Sequence, residues 1–402
     1  MNMTRYKRCE TALLASLRRS TSRSEFIPVI DGLRFLAILP VVLQHLCERA
    51  LRIAEGRHVA TAYDYALMNF FSDGRLGVEL FFVISGLIIS YPFISTDFRG
   101  QPPPRMRNFY LRRLTRLEPP YFLVMIGCYL FLTFTGYTPE GANSFDRTAV
   151  SLGTSLAASL VYMHGLLLGE APKLNPPAWS LEVEIQFYLL APIAVVVVLR
   201  LRNLAVIVLA LLTLMAGSIF ASHLLIYLWP EHHLIKYFHL FLAGILVNIL
   251  VLGGLVPRRV PRAVWDIGFI VAIVVLYVLG TNHASMLSDA SQVACYLALF
   301  LAAFEGMFFK RFLSLQWIFT IGGMCYTIYL IHLPILHVLT GIVMRTSGFS
   351  GFVPGVLINA VVSLPILLAF SVAFFLLVEK PCMNPNWPFR VGNWIASRVI
   401  VH

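Results

Sequence analysis

The chain has 402 residues, of which 58% are hydrophobic and only 13% charged, too little polar surface to cover a water-soluble protein of this size. Its formal charge of +11 does not point to nucleic acid in so apolar a chain, because polytopic membrane proteins concentrate Lys and Arg in cytoplasmic loops. The six cysteines, Cys9, Cys47, Cys128, Cys295, Cys325 and Cys382, stand singly with no CxxC pair, a usage that gives neither a disulfide framework nor zinc-ligand spacing.

Residues 1–26 are basic and polar, with a brief apolar patch from Ala12 to Leu17 that is too short for a signal-peptide core. They are expected to remain in the cytoplasm. Apolar stretches able to cross roughly 30 Å of hydrocarbon begin near Leu33, Leu76, Pro119, Leu181, Leu204, Leu234, Val264, Ser291, Leu315 and Phe352. An eleventh candidate, residues 150–168, is interrupted by Ser151, Gly153, Thr154, Ser155, Ser159 and His164. Charge decides against it. If it does not cross, 23 Lys and Arg fall on the cytoplasmic side and 8 outside; if it does, the split is 16 to 15 and the usual bias of basic loops disappears. The expected fold is therefore an all-α polytopic membrane protein of about ten transmembrane helices with both termini cytoplasmic. Residues 27–382 form one transmembrane domain, 383–402 a cytoplasmic tail, and 137–178 one long external segment dipping into or lying along the bilayer.

Ionisable residues within spans are costly and mark functional paths. In the first span, DGLRFLAILPVVLQHL, ten residues separate Arg34 from His45, which on a helix is about 16.5 Å of rise and three turns plus roughly 20°. The two share a face. An anionic cofactor entering from the cytoplasm could set its phosphates at Arg34 and its reactive end near His45; the plainer reading is a membrane anchor and a core histidine. In the second span, Glu79 falls near the depth expected for His45 and could orient its imidazole, or be an interfacial carboxylate. Gly77 and Gly86 suit close helix packing. Arg113 and Arg116, three apart in the following basic loop, could bind phosphate or simply anchor that loop.

At the start of the fourth span, Glu182 and Glu184 diverge by about 200° on a helix, so they cannot both face one site. Trp179 and Tyr188 beside them read equally as an interfacial belt. In the ninth span, His332 could supply a second polar group or bond a carbonyl freed by Pro334. His232, His233 and His239 lack a spaced ligand set, and no metal is expected.

These motifs together resemble acyltransferase family 3, membrane proteins that O-acylate surface polysaccharides, lipopolysaccharide and some small molecules. The resemblance runs from Ile30 to Pro381. It rests on Arg34-x10-His45; Glu79, Phe81, Phe82, Ser85 and Gly86; Arg113 and Arg116 in RRLTRLEPPY; Trp179 to Tyr188, with Glu184 at the main acidic position; Tyr329, Leu330, His332 and Pro334; and Glu379, Lys380 and Pro381. The chain departs from the family pattern at Ile185, Glu118 and Lys380. The resemblance implies a bacterial inner-membrane enzyme that uses acyl-CoA, most often acetyl-CoA, to acylate a carbohydrate or lipid-linked hydroxyl, its partners being these substrates and membrane lipids rather than nucleic acid. It implies His45 and Glu79 as catalytic, Arg34, Arg113 and Arg116 as cofactor-binding, and Glu184, Trp179 and His332 as substrate-binding. A proton-coupled transporter would use similar buried Arg, His and Glu residues, although the chain lacks the matched broken helices of repeated halves. A scaffold subunit without chemistry would leave the Arg34–His45 pairing unexplained.

Overall fold

A computed structural model describes residues 14–19, 27–56, 60–71, 74–137, 150–225, 233–257, 259–279, 285–346, 352–384 and 386–388. Residues 1–13, 20–26 and most of the 383–402 tail lie outside the described residues. Among the described residues there is no strand, and ten helical segments are long and apolar enough to cross a membrane. In order they are Pro28–Gly56, Gly74–Arg99, Met106–Thr135, Pro176–Leu199, Leu204–Leu224, Leu234–Leu252, Arg262–Leu279, Met286–Glu305, Cys325–Thr346 and Phe352–Cys382. They make the chain a multi-pass, all-α integral membrane protein.

Helix ends follow local chemistry. The Asn203 side chain accepts the N–H groups of Ala205 and Val206 to start the fifth span, and Ser285 accepts that of Ser288 to start the eighth, as N-caps do. Three prolines, Pro102 to Pro104, hold the chain extended before the third span, and the helix begins immediately after them. It therefore starts at Met106 rather than near Pro119, and carries Arg107, Arg112, Arg113 and Arg116 on its first turns. Pro119 leaves the carbonyl of Thr115 without its helical donor, and the Trp387 indole supplies one at 2.8 Å.

The second, sixth and first spans form the centre. In the second, 78% of the apolar window is buried inside the protein, against 17% in the seventh, so the seventh presents most of its surface outward. A Cβ on Gly86 would overlap the Phe241 carbonyl, and one on Gly244 would overlap that of Val83. The second and sixth helices thus touch backbone to backbone, as small residues allow in membranes. Asn248 pins the crossing by donating to Leu87 O and to Ser90 Oγ.

The ninth span differs from the expected single run beginning near Leu315. It is a short helix, Gln316–Gly323, a break at Met324, then Cys325–Thr346. A Cβ on Gly322 would overlap the Asp31 carbonyl, so the short helix lies hard against the start of the first span. Between the third and fourth spans, the helices Leu152–Leu160 and His164–Leu168 are far too short to cross the hydrocarbon. Residues 138–149 lie outside the described residues.

This segment is seated within the protein. Tyr121 donates to Ser159 O, Tyr162 to Glu118, and Asn175 to Leu330 O. His164 is fully buried: its Nδ1 lies 3.0 Å from Glu170 O and its Nε2 3.0 Å from Ser155 Oγ. Since the carbonyl can only accept, Nδ1 carries the proton and Nε2 accepts from the serine. Burial pushes the pKa of His164 below the ordinary histidine value. A lowered folded-state pKa gives stability that is complete above about 6.5, the unfolded value, and is lost as pH falls below it. Protection from hydrogen exchange across residues 152–178, taken relative to the intrinsic amide rate at each pH, is accordingly expected to be lower at about pH 5 than at about pH 7.5, and His164→Gln to flatten that difference.

Candidate functional site

The His45 end of the first span is built by its own helix. Gln44 donates to Glu48 Oε1 at 2.9 Å, and His45 Nδ1 lies 3.3 Å from Glu48 Oε2, spacings of four and three that share a helix face. With a carboxylate on Nδ1, the imidazole holds its proton there and presents Nε2 as a base. Glu48 was not among the expected residues, although HLCE contains it three positions after His45.

Glu79, expected to orient His45, is buried, and its Oε2 accepts from the Tyr296 hydroxyl of the eighth span at 2.9 Å. A Cβ on Gly77 would overlap the Ala37 carbonyl, which fixes this part of the second span against the first.

A second imidazole stands beside the first. The His45 and His332 ring centroids are 5.2 Å apart. His332 is fully buried, with Nδ1 2.7 Å from Tyr329 O and 3.1 Å from Ile328 O. Both neighbours are acceptors, so Nδ1 carries the proton and Nε2 the lone pair. That Nε2 is buried with no hydrogen-bond partner among the described residues. The carbonyl that Pro334 deprives of its helical donor is Leu330 O, and Asn175 takes it at 2.9 Å. His332 is therefore not occupied in satisfying that carbonyl, and Asn175 is a residue the sequence motifs did not single out.

Around these rings the ninth span is tied to the start of the fourth. The Tyr329 hydroxyl lies 2.7 Å from Pro177 O and 2.5 Å from Ser180 Oγ. Trp179 packs in an aromatic group with Phe82 and Tyr237, centroids 6.2 and 5.4 Å away. A pocket of about 470 Å³, counting the space at its mouth, opens among the third span, the ninth span and residues 173–176, with Cys128, Phe131, Lys173, Pro334 and His337 in its wall. His232 lies outside the described residues, while His233 and His239 are buried at the head of the sixth span.

At the other end, each arginine singled out in the sequence meets a carboxylate. Arg34 pairs with Asp31 at 2.5 Å, and Arg116 with Glu379 at 3.4 Å. Arg113 pairs with Glu184, lies 4.7 Å from the centre of the Tyr188 ring, and shares Glu184 with Ser85. Thr327 donates to Glu379 at 2.7 Å. Glu184 thus belongs to the arginine group rather than to the imidazoles, while Glu182, on the opposite helix face, accepts the N–H of Gly165. Desolvated arginines need such partners. The Nε atoms of Arg113 and Arg116 are nonetheless buried with no acceptor among the described residues.

The chain is similar to the O-acetyltransferase OatA of Staphylococcus aureus, with 25% identity over 338 residues, covering 77% of this chain and 51% of that protein. It is 26% identical over 188 residues to the peptidoglycan O-acetyltransferase OatA of Listeria monocytogenes, covering 46% and 26% of the two chains. To the putative peptidoglycan O-acetyltransferase YrhL of Bacillus subtilis it is 27% identical over 191 residues, covering 44% and 25%. The chain spans about half the length, or less, of these curated relatives. No solved structure matches it. Residues 27–380 match the acyltransferase domain, and with that match, which takes in both the imidazole pair and the arginine group, the chain belongs to acyltransferase family 3.

Proposed function

We propose that this protein transfers an acyl group, acetyl in the first instance, from acyl-CoA on the cytoplasmic side of a bacterial inner membrane to a hydroxyl of an extracytoplasmic or lipid-linked sugar. The observation that carries this reading is one helix bearing a cation at one end and a carboxylate-oriented imidazole about 16.5 Å along it. The Glu48–His45 contact makes His45 a competent base. The neighbouring arginines match a polyphosphate in charge and fork geometry.

In the reaction, the acceptor hydroxyl gives its proton to His45 Nε2 as its oxygen attacks the thioester carbonyl. The carbon–sulfur bond then breaks, and the CoA thiolate takes the proton from the imidazolium. Alternatively His45 attacks first and carries the acyl group; His332, with its unpartnered Nε2, then serves as the base for the acceptor. A burst of CoA release ahead of acyl transfer to the acceptor distinguishes the second route. Glu48 replaces Glu79 as the orienting carboxylate, Glu184 positions Arg113, and Trp179 lines the approach to the rings. The pocket beside His337 supplies a way in for the acceptor from the bilayer side.

The test is chemical. Full-length protein in lipid nanodiscs is expected to release CoA from acetyl-CoA when an acceptor glycan is supplied, and surface glycans of cells expressing it should gain 42 Da per acetyl, a mass set by the group itself. Transport of a small solute with no thioester cleavage would instead favour the exporter reading and overturn this one.

A further inference from the structure

A short piece of chain before the first span is built into the arginine group. Leu14 and Leu17 are 3% and 4% exposed, and Lys380, at the end of the tenth span, donates to the Ser16 carbonyl. These contacts seat residues 14–19 against the bundle and carry Arg19 inward. Its guanidinium meets Asp31 at 3.1 Å with only 11% of the side chain exposed, and its stem lies against Gly323.

Asp31 is thereby shared between Arg19 and Arg34. The ion pairs at this end bring together four guanidiniums, Arg19, Arg34, Arg113 and Arg116, and three carboxylates, Asp31, Glu184 and Glu379. The positive charge exceeds the negative. Arg116 lies close enough to both Arg19 and Arg113 for their charges to oppose its own. Among the described residues, three of the four arginines, Arg19, Arg113 and Arg116, also keep a buried Nε–H with no acceptor. Three such donors, on arginines held by these neighbouring ion pairs, describe a place suited to an oxyanion with several acceptor oxygens.

We propose that Arg19 binds a phosphate of the donor together with Arg113 and Arg116, so that residues 14–19 form one wall of the donor site. The proposal rests on the acyl-CoA reading above. It adds a binding residue outside the spans and gives the docked segment a task. Phosphate oxygens would take up the free Nε–H donors while Asp31 continues to hold Arg34.

Binding to the full chain in lipid nanodiscs tests it, with coenzyme A and the phosphate-free pantetheine as probes. Arg19→Gln is expected to weaken coenzyme A binding on the order of ten-fold, the loss of one charged hydrogen bond. The same variant should leave pantetheine binding within about two-fold, and Arg19→Lys should recover part of the loss. The exposed Arg200 serves as control, and Arg200→Gln should bind as wild type. If Arg19→Gln binds coenzyme A normally, or weakens coenzyme A and pantetheine alike, Arg19 is only a structural latch and the proposal fails. A wild-type protein that binds no coenzyme A would instead remove the donor reading and this proposal with it, a failure visible before any variant is made.

Discussion

His45→Ala is expected to lower acyl transfer by about 100- to 10,000-fold in a protein that still inserts and binds coenzyme A, the range a positioned general base contributes. Donor binding should change little, because the arginine group lies about 16.5 Å away along the same helix. Glu48→Gln is the graded companion. It keeps the shape but removes the charge that stabilises the imidazolium, and should cut kcat by about 10- to 100-fold with little change in KM. Glu79→Gln, in a residue bonded to Tyr296, should affect turnover less than Glu48→Gln. Rates measured with purified protein at matched amounts decide this. Normal transfer by His45→Ala would end the mechanism.

The largest effect on stability is expected at the crossing of the second and sixth spans. A Cβ at Gly86 would overlap the Phe241 carbonyl, and at Gly244 that of Val83. Backbone cannot move aside as a side chain can, so relief requires the two helices to separate. Overpacking usually costs about 1–3 kcal/mol, and forcing apart a central pair should exceed that range. Gly86→Leu or Gly244→Leu should therefore abolish the monodisperse peak on detergent size exclusion, with the alanine variants melting well below wild type. Gly127 provides the contrast. A Cβ there meets nothing within 4 Å, so Gly127→Ala should be neutral or raise the melting temperature through helix propensity alone. Equal tolerance at all three glycines would contradict the packing.

These two predictions divide along a line that also separates what the sequence disclosed from what it did not. Long apolar windows and the bias of basic residues lead to ten spans and to a segment 150–168 that does not cross, since both depend on local composition. Arg34 and His45 share one continuous helix, so their relation follows from spacing alone. Gly77 and Gly86 do meet neighbouring backbone. Local spacing does not reveal which side chains meet across helices, however: Glu79 accepts from Tyr296 of the eighth span, and the carboxylate on His45 Nδ1 is Glu48 from its own helix. The acids that hold the arginines were equally hidden: Glu184 is 71 residues from Arg113, and Glu379 is 263 from Arg116. Asn175 could be linked to Pro334 only once the freed Leu330 carbonyl was seen beside it.

The tie between residues 175–180 and the ninth span also bears on how the protein is made. Asn175 and Leu330 are 155 positions apart, and Pro177 and Tyr329 are 152. During synthesis the earlier partners leave the ribosome long before the later ones, and most of the arginine-rich mouth is complete while His332, Thr327 and Glu379 are still untranslated. A nascent chain therefore holds His45 without its companion imidazole, and Arg116 without its counterion. The imidazole pair and the Arg116–Glu379 ion pair are therefore assembled only when the last two helices have been made, so this end of the fold closes at the finish of synthesis.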